Sequence, residues 1–327
     1  MSSAGWAYVA RVCPNCLVYL VAPVNLFFCD LGCHMELRKF AVLLSGLAVV
    51  SAVGCTEAQS PQPLAEESFV AARKSYKTDE FFPRHKVRKP AKGDKNGNTT
   101  YAGPLGDMAA LLRVPKGEGP FPAIICLSGG DDSNWIPNPA SPDYSGDGIV
   151  TMFPALRGAN GNPGRPEELY GEVDDVLGAI DFLKQHESVD PDRIFLAGHS
   201  VGGTLALLVA AASEDLRCVF SFGPADNVER YGWRMDKEES KLRSPIRWVH
   251  QIKPTTYVIE GMVEPNNYRV LKSLVTFSKG RVQSMAAFGC DHFTVPSRLR
   301  SLIAKKIVAD DVVLTQEEVT EYLRKTE

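Results

Sequence analysis

One stretch limits the possible folds more than any other: residues 193–211, RIFLAGHSVGGTLALLVAA. The apolar run 194–197 reads as a short buried strand. A Gly-rich turn follows, and the Ala/Leu-rich run after it reads as a helix. Ser200 stands at the turn, in a G-x-S-x-G pattern with the flanking strand and helix that this motif requires. So sharp a turn strains the serine backbone, and Gly198 and Gly202 remove side chains that would strike the strand and the helix. The turn lifts the Ser200 hydroxyl clear of the sheet and sets it at a helix N-terminus, where free N–H groups favour developing negative charge. The plainer alternative is a strand–helix turn of some other α/β protein. The bare five-residue pattern would leave that open, and the flanking segments weigh against it.

The rest of the chain alternates in kind. Apolar runs at 107–115, 122–127, 148–153, 217–222, 255–259 and 282–288 read as strands. Helical patterns fall at 167–186, 268–277, 297–310 and 315–324; in the first, Val173, Val176, Leu177, Ile180 and Leu183 share one face. Alternation of this kind predicts an α/β fold, a mostly parallel sheet with helices on both faces. Functional loops then gather at the carboxyl ends of the strands. The basic stretch 69–94 reads as a solvated face, and 133–147, rich in Pro, Ser, Asp and Asn, as loop. The glycines of 157–164 have the wrong spacing for a dinucleotide loop and lack the Lys-Ser/Thr of a P-loop. Residues 223–253, with Tyr231, Trp233 and Trp248, read as a small lid over the site.

A serine hydroxyl needs a base. His292, in the Gly-Cys-Asp-His-Phe turn after the last strand, stands where the order Ser…Asp/Glu…His puts it. His199 adjoins the serine, where its ring cannot readily take the serine proton. An acid to orient His292 should follow a strand between the two. Glu264, three residues beyond Gly261, is preferred; Glu260, still in the strand, is the alternative, and Asp291 is a distant third. The oxyanion donors are expected at the Val201 N–H and in the loop at Gly129 and Gly130, which runs on to Asp131.

The N-terminal region carries an address. Residues 35–39 are a short basic start, 40–53 an uncharged apolar run shorter than the ~20 residues of a membrane span, and Gly54-Cys55 follows. The pattern resembles a bacterial lipoprotein signal over residues 35–55, with Cys55 as the lipidated residue; an ordinary secretory signal or an uncleaved anchor are the alternatives. Residues 56–67 read as a tether and 68–327 as the folded domain. Residues 1–34 read as an extension upstream of a natural start at Met35. Their cysteine pairs, Cys13/Cys16 and Cys29/Cys33 with His34, raise the thought of zinc, but the mostly apolar stretch between them argues against it. Cys126, Cys218 and Cys290 read as buried small hydrophobes rather than a disulfide framework.

With these residues in place the chain resembles the α/β-hydrolase superfamily. It is most similar to the catalytic domain of prolyl oligopeptidase-type peptidases and to dienelactone-hydrolase-like esterases. The resemblance runs over about residues 107–307: Gly129-Gly130, Arg157-Gly158, Asp-Pro-Asp-Arg at 190–193, Gly-His-Ser-Val-Gly-Gly at 198–203, and Asp-His-Phe at 291–293. It implies a cofactor-free and metal-free serine hydrolase acting on a small-molecule ester or short peptide. Three departures stand out. Ser128 replaces the histidine of the family's His-Gly-Gly, Glu264 stands at the position of its usual aspartate, and residues 56–106 are too few to build the peptidases' propeller. The net charge of -3 suggests no nucleic-acid partner. The expected location is the bacterial cell envelope, with a membrane contact through the lipid. A fold-sharing, turnover-free binding protein anchored by lipid is the competing reading.

Overall fold

The computed structural model describes residues 8–13, 16–20, 67–78, 98–129, 142–233 and 235–326. The chain divides into two compact units, Met1–Gln59 and Ser60–Glu327. In the first, β1 (Tyr8–Cys13) and β2 (Cys16–Leu20) form an antiparallel hairpin with Cys13 opposite Cys16. The signal-like segment 35–55 with Cys55, most of the 56–67 tether, Cys29, Cys33, His34 and Gly130 lie outside the described residues. No helix among the described residues is long and apolar enough to cross a membrane.

The second unit runs α1 (Phe69–Ser75), β3 (Asn98–Gly103), β4 (Gly106–Arg113), β5 (Phe121–Leu127), β6 (Val150–Pro154), α2 (Glu172–Lys184), β7 (Val189–His199) and α3 (Val201–Ala212). It continues with β8 (Cys218–Phe222), α4 (Lys237–Arg243), β9 (Thr255–Gly261), α5 (Tyr268–Phe277), β10 (Val282–Ala287), α6 (Val295–Val308) and α7 (Gln316–Lys325). One sheet takes the order β10-β9-β8-β7-β5-β6-β4-β3. Strands β5 to β10 are parallel, whereas β4 runs antiparallel to β6 and β3 to β4. This is an α/β-hydrolase fold.

The period of two along each strand makes two core layers. Ile125, Leu196, Val219 and Val258 face the layer packed by α2, α3 and α5. Their neighbours Ile124, Phe195, Phe220 and Tyr257 face the layer packed by α6 and α7. Both faces are covered, so the central strands read as nearly unbroken apolar runs. Helix α3 is apolar almost all round and accordingly buried along most of its length. Cys126, Cys218 and Cys290 are buried thiols. Buried Arg157, after β6, pairs through Nη2 with Asp175 Oδ1 at 2.8 Å and pins that loop to α2. Helix α2 starts later than its pattern predicts. Residues 167–171 form a turn in which the Glu167 N–H donates to the Glu172 carboxylate.

Chain order sends β6 to one side of β5 and β7 to the other. The crevice between β5 and β7 is therefore a topological switch point, where such sheets place ligands. Register keeps the carboxyl ends level: Leu127 pairs with Gly198, His199 with Phe222, and Phe222 with Ile259.

The expected lid is corrected. Leu242, Ile246, Trp248, Val249 and Ile252 are buried in the α3 layer, and the Trp248 ring packs on Phe69 of α1 at 4.9 Å. Apolar side chains of this size hold the segment in the body of the domain. Trp248→Ala should cost about 3–5 kcal/mol of stability, as large aromatic truncations in a core do. Urea unfolding measures it, and a loss below ~1 kcal/mol would show that the segment is detachable after all.

Candidate active site

Ser200 follows β7 and precedes α3 with φ 53° and ψ −115°, a backbone conformation rare for a residue with a side chain. Its N–H donates to the Phe222 carbonyl at 2.8 Å and its carbonyl accepts from the Thr204 N–H at 2.9 Å. The glycines explain how so tight a bend closes. A Cβ on Gly202 would lie 2.5 Å from the Ser128 carbonyl oxygen and 2.6 Å from that of Leu127. One on Gly198 would overlap the carbonyl of Gly202. The loop after β5 rests directly on this bend: a Cβ on Gly129 would meet Nδ1 of His199 at 2.8 Å and Cβ of Ser200 at 2.9 Å. Val201 opens α3, so its N–H is among the donors a helix leaves without a partner of its own.

His292 lies in the loop between β10 and α6, buried to 9 % exposure. Its N–H donates to the Pro265 carbonyl at 2.9 Å, and its Nδ1 meets Oε2 of Glu260 at 2.9 Å. Glu260 is wholly buried. Its carboxylate also accepts the Gly261 N–H at 2.8 Å and the Asn267 N–H at 3.0 Å, so the buried oxygens are satisfied.

The glutamate that meets His292 is thus Glu260, the alternative of the sequence reading, and not the preferred Glu264. Glu264 lies in the exposed turn beyond β9, with its carboxylate on the Asn266 N–H. Strand β9 runs on to Gly261 and carries Glu260 to the level of His292. Asp291 accepts from the Phe293 and Thr294 N–H groups and the Thr294 hydroxyl, which hold its carboxyl below the usual range; it stays at the start of α6.

Two neighbours escaped sequence reasoning, and a third, His199, was weighed there only as a base. Gly223, at the end of β8, has φ 56°, and a Cβ there would strike His292 Nδ1 at 2.5 Å and Glu260 Oε2 at 2.7 Å. A glycine directly after an apolar strand was its only visible signal. Asn267 carried none, because its N–H reaches Glu260 only through the fold. His199 is buried against His292 with ring centroids 4.7 Å apart, and its Nε2 meets the His292 carbonyl oxygen at 2.8 Å. Burial first, then the nearby His292, pushes the His199 imidazole down to about 4. Among the described residues no group of three or more His, Cys, Asp or Glu side chains is arranged to hold a metal ion.

Comparison with known proteins agrees with this architecture. Residues 124–324 match the model of the alpha/beta hydrolase family, and the chain belongs to that family. It is 26% identical over 178 residues to the uncharacterized peptidase YtmA of Bacillus subtilis, which covers 49% of this chain and 69% of that protein. Among solved structures, a hyperthermophilic esterase from Pyrobaculum calidifontis superposes with a TM-score of 0.51 at 19% identity, covering 66% of this chain and 86% of its own. An acylaminoacyl peptidase from Pyrococcus horikoshii gives a TM-score of 0.53 at 13% identity over 68% of this chain, but only 43% of that longer protein. At these identities the structural likeness is one of fold.

The His199 shift carries a pH dependence of definite sign. In the unfolded chain this imidazole takes a proton near 6.5, and in the folded protein only near 4. Between those values the unfolded state binds more protons, so stability falls as the pH drops through the window. The whole contribution of the residue is about 3 kcal/mol. Urea midpoints at pH 7.0, 5.5 and 4.5 (assay settings of about that spacing) should show this slope in the wild type and a shallower one in His199→Gln. Equal slopes would assign the effect to other groups.

Proposed function

We propose that this member of the alpha/beta hydrolase family is a serine hydrolase that cleaves a carboxylic ester or amide through an acyl-enzyme. In this reading Ser200 attacks the carbonyl carbon and its proton passes to Nε2 of His292. Collapse of the tetrahedral intermediate expels the leaving group, which takes that proton; water then repeats the sequence to release the acid. Glu260 accepts the Nδ1–H of His292, fixes the tautomer that leaves Nε2 free, and stabilises the imidazolium formed on the way. Developing negative charge on the carbonyl oxygen falls to the Val201 N–H and a second donor at Gly129–Gly130.

The observation that carries the reading is the buried Glu260–His292 hydrogen bond of 2.9 Å, at the same sheet edge as the strained Ser200 bend. A carboxylate buried without solvent is costly to keep, and its placement on an imidazole that packs against His199, the residue before the strained serine, suits acyl transfer. Peptidase and esterase relatives leave both acyl classes open as substrates. Against the rival reading of a turnover-free binding protein stands the buried carboxylate of Glu260 on His292.

Three variants test the assignment. Ser200→Ala should lose labelling by a fluorophosphonate probe and about 10⁶-fold in kcat. Glu260→Gln should lose roughly 10⁴-fold in kcat with KM little changed. Glu264→Gln should stay near wild type. A collapsed rate for Glu264→Gln beside a normal one for Glu260→Gln would overturn the acid assignment.

The address of the chain belongs to the same proposal: export to the bacterial envelope, with Cys55 as the lipid attachment site, as the signal-like run 35–55 suggests. Expressed from its full reading frame in a bacterial host, the protein should partition into detergent and carry acyl chains, and Cys55→Ser should abolish both. A Cys55→Ser protein that still partitions like wild type would sink the lipoprotein reading.

A further inference from the structure

We propose that His199, the residue before the serine, is a positioning residue that ties the His292 loop to the Ser200 bend by donating its Nε2–H to the His292 carbonyl. The inference rests on the serine-hydrolase reading above and extends it to a residue that takes no part in proton transfer.

Three ties hold His292. Its N–H is bound to Pro265 and its Nδ1 to Glu260, both from the β9 end of the site. The third, from His199 Nε2 to the His292 carbonyl oxygen at 2.8 Å, reaches it from β7, the strand that carries Ser200. It joins the residue that must move a proton to the residue that must lose one. The backbone of His199 is itself fixed, paired with Phe222 of β8. Its ring is wedged between the Gly129 backbone and the His292 ring. Spacing between β7 and the α6 loop is therefore set by one buried imidazole.

The chemistry of the contact dictates the state of that imidazole. A carbonyl oxygen can only accept, so Nε2 carries the proton. The ring must also stay neutral, because a second positive charge 4.7 Å from the His292 ring would oppose formation of the imidazolium there. Burial and the neighbouring His292 keep it so at neutral pH, against the opposite pull of Glu260. The choice of histidine combines a flat ring that fits the wedge with a donor at the right reach. Phenylalanine would keep the shape without the donor. Glutamine would keep a donor close to the Nε2 position.

Hydrolysis of p-nitrophenyl acetate by His199→Phe and His199→Gln, with thermal melts to confirm folding, tests the proposal. A misplacement of about 1 Å at the reacting groups costs on the order of 100-fold. His199→Phe should therefore lose about 10- to 100-fold in kcat, with KM within roughly twofold of wild type. His199→Gln should recover most of the loss. A wild-type kcat in His199→Phe would overturn the proposal, as would an equal loss in both variants, which would show that the donor is not what matters.

Ser200→Ala in the same series separates the two readings. Full activity there sinks the serine assignment, whereas inactivity there beside a normal His199→Phe sinks only the tie. Should the phenylalanine variant not fold, ¹⁵N NMR of the wild-type imidazoles decides. His199 should be neutral with the proton on Nε2 at neutral pH and stay neutral until the pH approaches about 4. An Nδ1–H tautomer would overturn the proposal.

Discussion

The closeness of α3 to the ends of β5 and β7 is the constraint on which the site depends. The Gly202 backbone lies where no Cβ fits against the carbonyls of Leu127 and Ser128. Only that approach lets a strand turn into a helix within one residue, and the residue that absorbs the turn is Ser200 at φ 53°. Strain of this kind costs on the order of 1–3 kcal/mol. Burial of α3 offsets it, since every residue from Gly202 to Ala210 is inside. A helix less apolar than this one would have no reason to press so hard on the sheet. The strained serine is thus a consequence of the core.

A second constraint is the buried carboxylate. Glu260 is sealed from water, so each of its oxygens must find a donor inside the protein. Gly261 and Asn267 provide backbone N–H groups and His292 provides Nδ1. These donors come from β9, the α5 entry and the α6 entry, so the loops around the site converge on one charge. Gly223 lies beside the pair with no space for a side chain. The hydrogen bonds that satisfy a buried charge are also what aim the imidazole.

Much of this was legible in the chain. Short apolar runs alternating with helical patterns gave the parallel sheet and its two covered faces, because burial on both faces leaves a nearly unbroken apolar run in each strand. The bend at Ser200 could be read because glycine spacing is local. His292 could be read because chain order places it after the last strand. Other features were not visible. The short helix α1, strand β3 with its polar NTTYAG sequence, and α4 have weak local patterns, and tertiary contacts hold them. Trp248 looked like part of a cover because aromatic residues in a polar stretch suit a lid as well as a core. Its place against Phe69, 179 positions earlier in sequence, is a long-range fact.

The sequence by itself determined the fold class, the strand–turn–helix around Ser200 and the candidacy of His292, all of which follow from spacing along the backbone. Tertiary structure decided which glutamate meets His292. Glu260 and Glu264 are four residues apart and alike in chemistry. The difference is that β9 stays paired with β10 through Gly261, so Glu260 is held at the buried sheet edge while Glu264 turns out to water. Tertiary structure likewise turned His199 from a neighbour of the serine into a partner of the histidine, because only the folded sheet brings residues 93 positions apart within 2.8 Å.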